Sequence, residues 1–324
     1  MTSQGIAVVR GHLAKLPPSD TLTLADRRKQ YDRAERVFPV SPEIEVETVT
    51  IGGVPAERLT PPSVRDGARI LYMHGGGYCI GSPRSHRHLA AAIGTAAEAI
   101  VVLPDYRLAP EHPFPAALDD AVAVYRAMLA DGASPGRIAI AGDSAGGGLT
   151  VAALVALRDA GVPLPAAGVC LSPWVDLACS GGSYATRPHA DPIVTRSGVE
   201  EMAAAYLGQR DRKTPLASPL YANLAGLPPL LVHVGSDEVL LDDAIGLADR
   251  ARAAGVSVTL EIWDGMIHVW PWFLTMLAEA PTAVGAIAAF VRSHAAPAAR
   301  ANRALPNESS GSDGARPVTS SITS

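Results

Sequence analysis

The sequence predicts an α/β fold in which a mainly parallel, eight-stranded sheet carries helices on both faces. Short apolar runs such as 69–73 (RILYM) alternate with alanine-rich segments of helix length such as 87–98, which is typical of buried parallel strands and their crossover helices. Residues 43–50 (EIEVETVT) instead alternate polar and apolar side chains, as a half-buried strand does. A length of 324 residues is sufficient for one large domain.

The predicted sheet begins with a hairpin. Gly52 and Gly53 turn the chain from strand 43–50 into a returning strand at 54–60, which places antiparallel strands at one edge. The remaining strands are predicted at 69–73, 99–103, 138–141, 168–171, 229–234 and 257–262, and the helices between them at 87–98, 116–131, 144–161, 239–254 and 282–294.

Two regions lie outside this alternation and predict a helical cap. Residues 21–37 are rich in charge with spaced apolar positions, which indicates a helix. Residues 175–228 contain no convincing core strand, and connections of that length are usually functional; within them 197–207 predicts a helix with Ser197 as its N-cap. The expected organisation is N-terminal cap helices at 1–40, a core at 41–174 and 216–294, a cap insertion at 175–215 and a disordered tail at 295–324.

Composition excludes several classes of protein. Charged residues make up 18% and hydrophobic residues 48%, which argues against a mainly disordered chain. A net charge of −5 argues against a nucleic-acid-binding protein that uses a basic face. Three scattered cysteines form no disulfide framework. Neither a signal peptide nor a membrane span is recognisable, so we expect a cytoplasmic protein.

The strongest chemical signal is a nucleophile turn. Residues 142–146 read Gly-Asp-Ser-Ala-Gly between the strand at 138–141 and a helical run, which is the strand–turn–helix setting of the G-x-S-x-G motif. Such a turn exposes the hydroxyl of Ser144 above the sheet. The predicted nucleophile is therefore Ser144, since a plain turn of small residues is the weaker interpretation in this setting.

A second motif predicts an oxyanion hole. Residues 74–77 read His-Gly-Gly-Gly directly after a strand, and glycines allow backbone amides to approach a substrate oxygen closely. The expected donors are the amides of Gly76, Gly77 and Ala145. We expect His74 to hold this loop rather than to act as the base.

The acid and base are expected later in the chain, in the order Ser, Asp, His. Asp237 follows strand 229–234 at its carboxyl end, where ligands gather in open α/β sheets. The Glu238 side chain points in the wrong direction if Asp237 faces inward, and Asp242 and Asp243 lie a turn further along. His268 follows the last strand and is the expected base. The other histidines fit this role less well; His86 and His88 could suggest a metal site but have no suitably spaced partner.

Five segments together resemble the hormone-sensitive lipase family of bacterial esterases, in its GDSAG form. They are HGGG at 74–77, DYRLAPEHPFPAA at 105–117, GDSAGGG at 142–148, GSDEVLLDD at 235–243 and MIHVW at 266–270. The resemblance covers roughly residues 40–294. It implies an α/β-hydrolase fold with a cap, carboxylesterase activity on short acyl chains, and no cofactor or metal.

The same resemblance assigns roles to individual residues. The nucleophile, acid and base fall on Ser144, Asp237 and His268, although the acid motif departs from the common D-P-L form. A polar network beneath the site is expected from Asp105, Arg107 and Glu111, with Asp143 as a further member. Independently of the resemblance, the substrate pocket is expected to be lined by Tyr78, Ile80, Trp174, Met202, Tyr206 and Trp270, with ordinary core packing as the alternative for the same side chains.

Several functions stay open at this level. The expected partner is a small-molecule ester, and the resemblance implies that a homodimer can form. The same triad serves lactone hydrolases, acetyl-hydrolases and amide deacetylases, which the sequence does not separate. A non-catalytic ligand receptor on this fold is the rival from another class, and an intact triad argues against it.

Overall fold

The computed structural model describes residues 4–17, 21–64 and 67–295. The disordered tail predicted at 295–324 lies outside them, apart from its first residue. Within the described residues an eight-stranded sheet has the order β1-β2-β4-β3-β5-β6-β7-β8, in which β2 alone runs opposite to the other strands and is antiparallel to its neighbours β1 and β4. Its strands are β1 (Glu45–Ile51), β2 (Val54–Thr60), β3 (Arg69–Met73), β4 (Ile100–Pro104), β5 (Ile138–Asp143), β6 (Ala167–Leu171), β7 (Leu230–Gly235) and β8 (Val258–Trp263).

Helices cover both faces of this sheet, which confirms the predicted fold class. The α-helices are α1 (Gln4–Leu13), α2 (Leu24–Asp32), α3 (Ala34–Val37), α4 (Pro83–Ala97), α5 (Ala116–Ala130), α6 (Ala145–Asp159), α7 (Ser183–Thr186), α8 (Arg196–Leu207), α9 (Leu241–Ala253) and α10 (Glu279–His294). One apolar core joins α5, α6 and α9 to the sheet, and a second joins α4 and α10 to the opposite face. No helix in the described part of the chain has the length and apolar character needed to cross a bilayer.

The hairpin forms where the sequence predicts it. Glu45 pairs with Thr60 and Ile51 with Val54, so the connection is the Gly52-Gly53 pair. Both glycines have positive φ, 60° and 82°. A Cβ on Gly52 would also lie 2.5 Å from the carbonyl oxygen of Ala123 on α5, so a side chain would separate the hairpin from this helix.

Two helix predictions are corrected by the structure. The single helix expected at 21–37 is interrupted at Arg33, where α2 ends and α3 begins. The expected N-cap Ser197 is wrong, because Thr195 has the extended backbone of an N-cap and its hydroxyl accepts a hydrogen bond from the Gly198 amide at 3.1 Å. The predicted cap boundaries stay a prediction.

Candidate active site

Ser144 lies between the end of β5 and the start of α6, as the motif predicts. Its backbone has φ 53° and ψ −121°, which is a strained conformation for a residue with a side chain. Two hydrogen bonds fix it: its amide donates to the Leu171 carbonyl at 2.8 Å, and its carbonyl accepts from the Trp174 amide at 2.9 Å. Ser144 is partly exposed among buried neighbours, so its hydroxyl is held rigidly yet remains accessible.

Glycine is required on both sides of this turn. A Cβ on Gly142 would lie 2.3 Å from the carbonyl oxygen of Gly146, and one on Gly146 would lie 2.0 Å from that of Met73. Both obstructing atoms belong to backbone, which cannot give way as a flexible side chain does. The sharp strand-to-helix turn therefore depends on these two positions.

The predicted oxyanion loop follows β3. Gly76 and Gly77 have φ of 117° and 59°, and a Cβ on Gly76 would lie 2.2 Å from the Ile80 carbonyl oxygen. Within the described residues neither amide N–H has a hydrogen-bond partner. Ala145 begins α6, and the first amides of a helix are likewise unpaired within it. These three N–H groups are available to bind an anionic oxygen.

A buried carboxylate supports the oxyanion loop from below. Asp143 is 1% exposed; its Oδ1 accepts hydrogen bonds from the Tyr72 hydroxyl at 2.8 Å and the Gly75 amide at 3.2 Å, and its Oδ2 lies 3.3 Å from His86 Nε2. Burial would raise the pKa of Asp143, but His86 and Tyr72 outweigh burial and lower it. A Cβ on Gly75 would lie 2.2 Å from Asp143 Oδ2, so this carboxylate occupies the space beneath the loop.

His74 is placed as a structural residue. Its ring is fully buried, stacks on Tyr106 at 4.1 Å between centroids, and hydrogen-bonds through Nδ1 to the Gly75 carbonyl at 2.8 Å. Burial lowers its pKa to about 3, so the ring is neutral at ordinary pH. We expect it to shape the loop rather than to exchange protons.

The residue that contacts His268 is Glu238. His268 Nδ1 lies 3.0 Å from Glu238 Oε2, and both side chains are buried. The expected contact with Asp237 is wrong: Asp237 points to the N-terminal helix α1, where its Oδ2 accepts from Arg10 at 2.8 Å. The chain turns after β7, since the Asp237 amide donates to the Met266 carbonyl at 3.1 Å, and Glu238 is the residue directed inward.

The second oxygen of Glu238 is also fully engaged. Oε1 accepts from the Ser172 hydroxyl at 2.7 Å and from the Gly235 amide at 2.6 Å. The Ser172 hydroxyl in turn accepts from the amide of Val269 at 3.0 Å. Ser172 directly follows Leu171, whose carbonyl accepts a hydrogen bond from the Ser144 amide. The end of β6 therefore connects the nucleophile turn with the loops that carry Glu238 and His268.

The electrostatics suit a base that becomes cationic. Burial alone would lower the pKa of His268, but the hydrogen bond and charge of Glu238, with the charges of Asp191 and Asp143, raise it above its ordinary value. Burial raises the pKa of Glu238, and the contact with His268 opposes this shift. The pair therefore favours an imidazolium next to a carboxylate.

The other acidic and histidine candidates lie elsewhere. Asp242 Oδ2 accepts from the Ser183 amide at 2.8 Å, and Asp243 Oδ2 accepts from the Val175 amide at 3.0 Å. His88 hydrogen-bonds the Trp272 carbonyl at 2.9 Å, and His86 faces Asp143. In the described part of the chain no group of three His, Cys, Asp or Glu side chains is arranged to hold a metal ion.

The polar network expected from the 105–117 motif does not form as one unit. Arg107 pairs with Asp120 at 2.7 Å, whereas Glu111 pairs with Arg28 of α2 at 2.7 Å. Asp105 has an exposed side chain. The partner of Arg107 lies on the core helix α5 and that of Glu111 on the N-terminal helix α2, and the spacing of residues within the motif does not reveal this separation.

The expected pocket residues fall into two groups. Tyr78 and Tyr206 stack in parallel with 3.9 Å between centroids, and Trp174 lies 6.0 Å from Tyr78. Ile80 and Met202 pack against the same core. Trp270 belongs to a separate cluster beneath α1 that includes Ile6 and Val9, so the structure does not bring it together with the other five.

The N-terminal helix α2 contacts the 175–215 insertion, and the insertion contacts the oxyanion loop. Arg27 of α2 pairs with Glu201 of α8 at 3.2 Å. A Cβ on Gly77 would lie 2.0 Å from Met202 Sδ, so the Met202 side chain rests directly on the loop. The region that the sequence predicts as a cap therefore reaches the oxyanion donors.

Known proteins resemble this chain over most of its length. Residues 70–272 match a family model described as alpha/beta hydrolase fold. An acetyl-hydrolase of Streptomyces hygroscopicus is 51% identical over 266 residues, covering 82% of this chain and 89% of the relative. The carboxylesterase NlhH of Mycobacterium tuberculosis is 36% identical over 260 residues, covering 75% and 81%.

Solved structures agree. An esterase from the bacterial hormone-sensitive lipase family superposes with a TM-score of 0.88 at 50% identity, covering 91% of this chain and 99% of that one. An esterase/lipase from an uncultured bacterium gives 0.87 at 47% identity, covering 91% and 100%. The chain therefore belongs to the alpha/beta hydrolase fold family and, within it, to the bacterial hormone-sensitive lipase family.

Proposed function

We propose that this protein is a serine carboxylesterase that hydrolyses short-chain acyl esters through an acyl-enzyme, with Ser144 as nucleophile, His268 as base and Glu238 as acid. One observation carries the proposal. The strained, partly exposed Ser144 is hydrogen-bonded to Leu171 at the end of β6, and the next residue, Ser172, is hydrogen-bonded to Glu238. Glu238 Oε2 in turn lies 3.0 Å from His268 Nδ1 in a buried pair. This combination of a constrained nucleophile and an oriented base is the arrangement that acyl transfer requires.

In the first step His268 Nε2 accepts the proton of Ser144 Oγ while Oγ bonds to the ester carbonyl carbon. The carbonyl π electrons move to oxygen, and the amides of Gly76, Gly77 and Ala145 bind the resulting oxyanion. The imidazolium then donates its proton to the alkoxy oxygen as the C–O bond breaks, which releases the alcohol. The Glu238 carboxylate accepts a hydrogen bond from the Nδ1–H group of His268, which orients the ring, and its charge stabilises the cationic form.

In the second step water hydrolyses the acyl-enzyme. His268 accepts a proton from water as its oxygen bonds to the acyl carbon, and the same oxyanion donors serve again. Collapse of this intermediate returns the proton to Ser144 Oγ and releases the carboxylic acid. The free enzyme is restored with no other reactant consumed.

The preference for short acyl groups is supported by what surrounds the oxyanion loop. Met202 rests on Gly77, and the parallel Tyr78–Tyr206 stack is buried next to Trp174. Bulky side chains so close to the donors leave little room for a long chain. The relatives named as esterases and carboxylesterases support the substrate class.

A narrower candidate is hydrolysis specific for acetyl groups. The relative with 51% identity bears the name acetyl-hydrolase, and such an enzyme can act on acetyl esters or acetamides with the same triad. Steeply higher kcat/KM for acetyl than for butyryl substrates would favour this candidate. The homodimer, the GDSAG subgroup and the cytoplasmic location stay predictions.

The test is Ser144→Ala, assayed with p-nitrophenyl esters from acetyl to decanoyl. We expect the activity of the wild-type protein to be greatest from acetyl to hexanoyl and that of the variant to be lower by about 10⁴- to 10⁶-fold. Ser197→Ala is the matched control, because Ser197 is an exposed serine of α8. A mass increase of one acyl group on wild-type protein, absent from Ser144→Ala, identifies the intermediate. Comparable turnover in both variants would refute the assignment.

A further inference from the structure

We propose that Asp191, in the 175–215 insertion, is a positioning residue for the acid of the triad. Its carboxylate holds the backbone of residues 236–240, here called the acid loop, so that the geometry of Glu238 depends on a segment outside the sheet and its covering helices. The inference rests on the proposed function, because it concerns the same triad.

Asp191 is built into this contact. It is 4% exposed, and its Oδ2 accepts a hydrogen bond from the Val239 amide at 3.0 Å. Its Oδ1 accepts from the amides of Ile193 and Val194 at 2.9 and 3.0 Å. Three backbone donors therefore share one buried carboxylate, and hydrogen bonds to a charged acceptor are the strong ones.

The contact acts on the residue next to the acid. Val239 follows Glu238 directly, and its carbonyl accepts from the Ser183 hydroxyl at 2.6 Å, which is another group of the insertion. Without Asp191, the Val239 amide would be a buried donor with no acceptor, a state that the loop can relieve only by moving. Any such movement would alter the 3.0 Å contact between Glu238 and His268.

A second contact on the other side of Glu238 is weaker. Arg10 of α1 joins the Asp237 carboxylate at 2.8 Å to the Ala190 carbonyl at 2.6 Å. The side chains of Arg10 and Asp237 are 28% and 33% exposed, and solvent reduces the contribution of such pairs. Of these two side-chain contacts that flank Glu238, the buried one made by Asp191 is therefore the stronger.

Because Asp191 is charged, its role can be followed through the pKa of His268, which a purely structural contact would not change. Together with Glu238 and Asp143, this carboxylate raises the pKa of His268 against the lowering effect of burial. It also raises the pKa of Glu238, which burial has already increased. Replacing the carboxylate by an amide should therefore lower the pKa of His268 even if the hydrogen bond to Val239 is kept.

The experiment compares Asp191→Ala with Asp191→Asn. Alanine removes the acceptor, and we expect kcat to fall by about ten- to a hundredfold with little change in KM. Asparagine keeps one acceptor oxygen where the carboxylate supplies two, so kcat should recover only in part, while the acid limb of the kcat/KM profile moves to lower pH. Asp211→Ala is the matched control, because Asp211 accepts from the Lys213 amide at 2.9 Å in a similar turn of the insertion but is exposed.

Titration of His268 by NMR, with its signal assigned by loss in His268→Gln, gives a measurement that does not depend on turnover. A folded Asp191→Ala protein with wild-type kcat would overturn the proposal. If alanine prevents folding, asparagine decides, since wild-type kcat together with an unchanged pKa of His268 in Asp191→Asn would also overturn it. Failure of the proposed function is distinct, because wild-type protein would then hydrolyse no ester while the titration remains measurable.

Discussion

Replacing Glu238 by glutamine removes the charge next to His268 with almost no change in size. The two groups are 3.0 Å apart and Glu238 is fully buried. Coulomb's law with an effective dielectric constant of about 20 gives an attraction of about 5.5 kcal/mol at that separation. Since each 1.4 kcal/mol or so is one decade in rate, we expect kcat to fall by roughly three to four decades.

A second effect acts in the same direction. A glutamine amide that donates towards Nδ1 stabilises the tautomer in which Nε2 is protonated, and that tautomer cannot accept the Ser144 proton. Loss of the carboxylate also removes a group that raises the pKa of His268. The small residual activity should therefore have its acid limb at lower pH than that of the wild-type protein.

The assay is steady-state hydrolysis of p-nitrophenyl butyrate from about pH 5 to pH 9, with melting temperatures measured alongside. Asp237→Asn is the matched control, since it changes the adjacent carboxylate, which is one-third exposed and paired with Arg10. Exposed pairs of this kind contribute about 1 kcal/mol or less, so we expect less than a tenfold loss. A greater loss in Asp237→Asn than in Glu238→Gln, with both proteins folded, would refute the reasoning.

Three other perturbations probe separate parts of the molecule. Gly76→Ala should lower kcat by about 10²- to 10³-fold, because its Cβ would lie 2.2 Å from the Ile80 carbonyl; Gly285→Ala on α10, where nothing lies within 4 Å, is the control that should leave kcat unchanged. Burial and the charge of Asp176 raise the pKa of Asp243 to about 8, so folding takes up a proton between about pH 4 and pH 8, and stability should fall as pH rises through that window. Asp243→Asn should flatten that dependence in thermal melts, and an unchanged slope would contradict the assignment. Deleting residues 1–40 should weaken butyrate hydrolysis and lower solubility by exposing the cluster beneath α1; undiminished turnover would contradict this.

The sheet was predictable because its signal is local and repeated. The apolar run at 69–73 becomes β3 (Arg69–Met73) without any shift of its ends, and the two-glycine turn at 52–53 gives the predicted hairpin. Burial on both faces forces a strand to be apolar throughout, so composition alone locates it. The nucleophile turn was predictable for a related reason, since Gly142 and Gly146 leave few other conformations open to Ser144.

The acid was not predictable in the same way. Alternation of side-chain direction holds only within a strand, and β7 ends at Gly235. Beyond it, the Glu238 carboxylate returns to accept from the Gly235 amide at 2.6 Å, while Asp237 is drawn outwards by Arg10. The departure from the D-P-L form was the one local signal that a neighbouring carboxylate occupied the site.

What holds the acid in place is distributed along the chain. Ser172, Asp191 and His268 come from three different segments, and each meets Glu238 or its neighbour through a hydrogen bond of 2.7–3.0 Å. Such contacts leave no periodic trace in the sequence, because each needs a single polar residue at one position. Asp191 is an example. It lies in a segment that the sequence predicts only as a cap, because the segment contains no strand, yet its carboxylate makes a direct contact with the acid loop. For the proposed triad we therefore expect the position of Glu238 to depend on contacts between the insertion and the core, so that substitutions far from Ser144 in sequence alter kcat.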